Sequence, residues 1–115
     1  DYLIGHNVLG FDIYLLRNWY KKHGKNYDSL PNKVLDTFAM AKSVGLNYSY
    51  KSSECNLLDF QLKMINIRKK GLRTSLGALG KSYNIPHDKD KLHDALADLE
   101  LNIKVWEELK YKIDF

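Results

Sequence analysis

The stretch that most limits the fold is the last one. Leu92, Leu96, Leu99, Ile103, Trp106 and Leu109 step by four and three residues, with Lys104, Glu107, Glu108 and Lys110 on the other side. That spacing predicts a long amphipathic helix whose apolar stripe must be buried against something. The start of the chain adds a second constraint. Tyr2-Leu3-Ile4-Gly5 is a short apolar run that stops at His6-Asn7, as a strand entering a polar loop does. Phe11, Leu15 and Trp19, widened by Leu16 and Tyr20, then recur at helical spacing, and Lys21, Lys22, His23 and Gly24 close the helix with basic residues and a glycine. After a turn at Ser29-Leu30-Pro31-Asn32, residues 33–37 read as a brief strand running into a helix over 38–44. Strand, helix, strand, helix is an α/β rhythm.

The middle is less decisive. Residues 45–56 are polar and predict a loop. In 58–65, Leu58, Phe60, Leu62 and Met64 alternate as in a strand, while Leu58, Leu62 and Ile65 fit a helix; both readings stand. Thr74 or Ser75 can cap a helix with apolar positions Leu76, Leu79 and Tyr83, ended by Ile85-Pro86. No repeat, low-complexity tract or domain boundary interrupts the chain, so 1–115 is expected to be one domain.

At 115 residues, 44% hydrophobic and 28% charged, the composition suits a globular domain that folds without staples and excludes collagen-like and disordered chains. No apolar run reaches membrane-spanning length, and no leader is visible. The lone Cys55 cannot pair within the chain or build a thiolate metal site, which points to a reducing compartment, cytoplasmic or nuclear. Lys and Arg total 18 against 14 acidic residues. The bias favours a polyanionic partner, although a lysine-solvated surface explains it equally. Asp1 precedes an apolar strand directly, and the chain is expected to be part of something longer.

Three motifs fail on inspection. Gly80-Lys81-Ser82 resembles the end of a P-loop, but the glycine required five residues earlier is Ser75. The His93-Asp94 pair lacks the distant ligands of a metal phosphohydrolase, and no serine sits in a glycine-flanked elbow. Two other segments stand out together, Gly5-His6-Asn7-Val8-Leu9-Gly10-Phe11-Asp12 and His93-Asp94-Ala95-Leu96-Ala97-Asp98. Asp12 lies just beyond the carboxyl end of a strand, where open α/β sheets place ligand sites. Taken singly, Asp12 is also explained as a helix N-terminal charge and Asp98 as a solvated helix carboxylate.

Taken jointly, with Val34-Leu35-Asp36-Thr37-Phe38-Ala39-Met40-Ala41 and Ser75-Leu76-Gly77-Ala78-Leu79 between them, these segments resemble the DEDDh 3′-to-5′ exonucleases, DnaQ-like nucleases of the ribonuclease H-like fold. His6-Asn7 through Phe11-Asp12 is similar to the family's second exonuclease motif, and His93 with Asp98 to its third. The resemblance implies a partial ribonuclease H-like α/β fold lacking the family's N-terminal antiparallel strands. It implies that Asp98 ligates a catalytic Mg²⁺ or Mn²⁺, that Asp12 supports a second, and that His93 is the general base. His6 and Asn7 are candidate substrate contacts that also serve to shape their loop, and Lys81, Tyr83 and Lys89 are weaker candidates. The implied partner is the 3′ end of DNA or RNA, in a proofreading or repair role, with a polymerase or the missing N-terminal segment as a protein partner.

The family's first motif, an Asp-x-Glu on its first strand, has no counterpart here. Asp98-Leu99-Glu100 has that spelling but lies in a helix, where residues two apart point to nearly opposite sides. One strong carboxylate and one auxiliary hold metal poorly, so the chain alone is expected to be inactive or nearly so. The alternative is a non-catalytic ribonuclease H-like module that binds nucleic acid or protein. If the two motifs match by chance, nothing brings Asp12 and Asp98 to one cleft.

Overall fold

A computed structural model describes residues 1–86 and 94–113. Strand β1 (Leu3–Gly5) leads through a π-helical turn at Val8–Asp12 into α1 (Ile13–Lys22). A 3-10 turn at Pro31–Lys33 precedes strand β2 (Val34–Asp36), and α2 (Thr37–Leu46), α3 (Leu57–Asn66), α4 (Leu76–Ser82) and α5 (Ala95–Leu109) follow. β1 and β2 pair in parallel, with Leu3 opposite Val34 and Gly5 opposite Asp36, so the expected α/β rhythm is present. No described helix is long and apolar enough to cross a membrane.

Side-chain caps set several boundaries. Asp36 accepts from Phe38 N–H and starts α2 one residue earlier than the sequence spacing predicts. Asn56 caps α3 through Asp59 N–H, which settles the open segment as helix. Ser75, not the buried Thr74, caps α4, and Asp94 caps α5 by accepting from Leu96 and Ala97 N–H. Gly10 packs against Asn7: a Cβ there would sit 2.2 Å from the Asn7 side-chain oxygen, so a larger residue requires that side chain to turn away.

The core has three parts, one of them Ala39 of α2 packed with Phe60 and Met64 of α3. Val8, Leu9, Ile13 and Val34 pack with Leu58, Leu62 and Ile65 of α3. Met40, Ala41, Leu79, Leu101, Val105 and Leu109 join α2, α4 and α5. Here the two predicted stripes need correcting in part: Leu109 is fully buried and Trp106 packs against this cluster as expected, but other members are exposed. Phe11, Leu15 and Trp19 are 62%, 58% and 48% exposed, and Leu96, Leu99 and Ile103 are 65%, 55% and 50% exposed. The faces that reach the core are Ile13 on α1 and Leu101, Val105 and Leu109 on α5. Residues two apart lie about 200° around a helix of about 3.6 residues per turn, so both helices carry apolar residues on two opposed sides. Periodicity finds such a stripe but cannot say which side is covered. Leu92 of the predicted stripe lies outside the described residues.

The two edges of the sheet differ. On β2, Gln61 of α3 takes the place of a neighbouring strand: its side-chain oxygen accepts from Asp36 N–H at 2.7 Å and its amide donates to the Val34 carbonyl at 3.0 Å. Among the described residues the outer edge of β1 has no such partner, and Leu3 and Ile4 beside it are exposed.

Candidate active site

Asp12 and Asp98, read from opposite ends of the sequence, line one cleft of about 660 Å³. Asp12 closes the π-helical turn after β1, and Asp98 lies in the first turn of α5, one turn before Asn102. The rest of the lining divides between polar His6 and Asn102 and apolar Leu3, Ile4, Leu15 and Leu99. Asp12 makes no side-chain cap bond to α1. Its carboxylate is therefore not committed to the helix end that its position would suggest.

A buried polar hub sets the position of both aspartates. Asp36, fully buried at the end of β2, accepts from Asn7 N–H at 2.7 Å, Leu9 N–H at 2.9 Å and Phe38 N–H at 2.9 Å. It thus pins the turn that ends in Asp12. Burial pushes the Asp36 carboxyl above its ordinary range, while the three N–H donors and nearby His6 pull it down. Thr37, next along, receives a bond from Asn102 Nδ2 at 2.9 Å and so ties α5, with Asp98, to the start of α2.

His6 belongs to the same hub. Its Nε2–H donates to the Thr74 carbonyl at 2.8 Å, which leaves Nδ1 of the neutral ring to accept from the Thr37 hydroxyl at 3.0 Å. The Thr37 hydroxyl also lies 3.1 Å from the Gly5 carbonyl, a second acceptor. Burial lowers the His6 pKa, against the opposing charge of Asp36 and the bond to Thr74. His6 thus faces the cleft while its two nitrogens are engaged, which fits the loop-shaping role better than proton transfer. Asn7 is not in the lining of this cleft. It holds a left-handed conformation (φ 58°) and borders a separate hollow with Gly10.

His93, the expected general base, and Lys89 lie outside the described residues. Asp36, Thr37, Gln61 and Asn102 were not singled out from the sequence. The available signal was the polar pair Asp36-Thr37 closing an apolar strand, a position that matches His6-Asn7 at the end of its neighbour. Among the described residues no group of three or more His, Cys, Asp or Glu is placed to hold a metal. Asp12 and Asp98 offer hard oxygen donors of the kind Mg²⁺ and Mn²⁺ prefer, but two carboxylates are fewer than a pair of such ions needs.

A family model described as Exonuclease (RNase_T) matches residues 1–106. No curated protein and no solved structure matches the chain.

Proposed function

The chain belongs to the exonuclease family, and from that premise we propose that the Asp12–Asp98 cleft is the hydrolytic site of a DEDDh-type 3′-to-5′ exonuclease domain with a partial ribonuclease H-like fold. An exonuclease domain implies a nucleic-acid substrate. The observation that carries the reading is the meeting of Asp12 and Asp98 in one cleft at the carboxyl end of β1. Asp98 is assigned as metal ligand, Asp12 as the auxiliary carboxylate and His93 as the base that takes a proton from the attacking water. A divalent pair, when bound, would stabilise the attacking and leaving oxygens of an in-line displacement. The chain's own work is to hold the two carboxylates in register through Asp36, Thr37 and Asn102.

The missing donors are proposed to arrive on a strand laid along the open edge of β1, carrying an Asp-x-Glu toward the cleft. Among the described residues that edge is unblocked, whereas β2 is capped by Gln61, and exposed Leu3, Leu15 and Leu99 give such a strand apolar surface to cover.

The test is digestion of a 5′-labelled single strand with Mg²⁺ by the domain supplied with that strand. Stepwise shortening from the 3′ end is expected. Asp98→Asn should abolish nearly all of it with the fold retained, and His93→Ala should slow turnover by about a hundredfold or more without loss of metal binding. Activity retained in Asp98→Asn contradicts the assignment. A second reading is a module that binds a strand end without cutting it, and the net charge of +4 supports a polyanionic partner without requiring hydrolysis. That reading predicts binding and no shortening in the same assay.

A further inference from the structure

Beside the candidate site lies another concavity, of about 400 Å³, walled by Phe38, Lys42, Arg68, Lys69, Lys70 and Thr74. Its lining holds four cations and no carboxylate, and none of the four is ion-paired with a described acidic residue. Lys42 is largely buried, and its ammonium donates to the carbonyls of Ile65 and Ile67 and stands 4.6 Å over the Phe38 ring. Burial, and then the nearby Arg68, push that ammonium below the usual lysine range. Like charges held together in a concavity are relieved by an anion.

The concavity is one layer of side chains from the Asp12–Asp98 cleft. His6 lines that cleft, stacks on Phe38 with ring centres 5.4 Å apart, and donates to the Thr74 carbonyl. Phe38 and Thr74 are walls of the cationic hollow. A smaller hollow of about 320 Å³ shares Phe38, Lys42 and Arg68 and reaches Asn7 and Gly10, which extends the cationic track along the other side of the His6–Asp12 turn.

We propose that this cleft binds the phosphodiester backbone of a single strand upstream of its 3′ terminus, with Arg68, Lys69 and Lys70 contacting successive phosphates while Lys42 fixes the floor. The proposal rests on the exonuclease reading for the placement of the 3′ end. It adds a binding site that would hold a strand in register for removal of its last nucleotide. Phosphate contacts of this kind fix position and carry no base preference.

The test is fluorescence anisotropy of a labelled short oligo(dT) titrated with the whole chain in EDTA, so that no strand is cut. The triple variant Arg68→Gln, Lys69→Gln, Lys70→Gln should lose at least about tenfold in affinity, and the slope of log K on log salt should shrink by about two, from roughly 0.7 per lost phosphate contact. A control with the same loss of charge, Lys21→Gln, Lys22→Gln, Lys25→Gln at the end of α1, should retain near-original affinity. Equal losses in the two variants would reduce the effect to net charge and overturn the proposal. So would unchanged oligo(dT) binding in the first variant, or a loss seen only with phosphatidylserine vesicles. Because the assay needs no metal, failure of the completed domain to cut would sink the exonuclease reading and leave this result standing. Normal cutting with undiminished binding in the first variant would sink the cationic cleft alone.

Discussion

Asp36 gathers N–H groups from the turn after β1 and from the start of α2 onto one buried carboxylate, so its removal leaves several buried donors unpaired at once. Unsatisfied buried donors cost roughly 1–3 kcal/mol each, and Asp36→Ala is expected to lose about 3 kcal/mol or more in urea denaturation. His6 makes a separate prediction, through pH. Its pKa is depressed in the native state, so below its ordinary value of 6.5 the unfolded chain takes up a proton that the native chain resists. The stability due to neutral His6 is therefore intact above about pH 6.5 and is lost as pH falls from there through the depressed native value. In His6→Gln that part of the pH dependence should vanish, and an unchanged profile from pH 7.5 to 5 would show that the proton goes elsewhere. At this scale Asp12 and Asp98 stand out in the sequence only jointly, through the resemblance of their two segments to exonuclease motifs, and the structure brings both to one cleft. Asp36 and Thr37 do not stand out, since a carboxylate accepting backbone N–H groups leaves no periodic mark. Asn7, a candidate substrate contact that also serves to shape its loop, has a left-handed backbone and lies beside Gly10, outside the Asp12–Asp98 cleft.

Among the elements, the caps and the second core face carry most of the specification. Asp94 satisfies two N–H groups at the start of α5, so Asp94→Ala is expected to lower stability by about 1 kcal/mol, and the loss should appear as fraying of the turn that carries Asp98. Hydrogen exchange at residues 96–98 checks it; protection unchanged from the parent chain would place the restraint on that turn elsewhere. Gln61 has a larger role than its polarity suggests. It is 1% exposed and closes the edge of β2, so Gln61→Leu leaves Asp36 N–H and the Val34 carbonyl without partners and is expected to cost about 2–4 kcal/mol. The positions of α1, α2, α4 and α5 could be read from spacing, whereas α3 fits strand and helix alternation alike and is fixed by its Asn56 cap. The orientation of the helices could not, because α1 and α5 are apolar on two opposed sides, and only packing decides between Leu101-Val105 and Leu96-Leu99-Ile103.

At the scale of the molecule, the sides of α1 and α5 and the edge of β1 that no described residue covers meet around one cleft that also holds Asp12 and Asp98. Exposed apolar surface continuous with a free strand edge invites association. The chain by itself is expected to sediment as a concentration-dependent mixture, and Leu15→Lys with Leu99→Lys should restore a monomer without loss of stability. A monodisperse parent chain at high concentration would contradict that. The central claim, that Asp12 and Asp98 form the half-site of a divalent-metal nuclease, is tested most directly by titrating Mn²⁺ into the isotopically labelled chain and following amide signals by NMR. The account predicts paramagnetic broadening centred on the backbone around Asp12 and Asp98 and weakened by Asp98→Asn. Broadening centred elsewhere, or unchanged in Asp98→Asn, would contradict it.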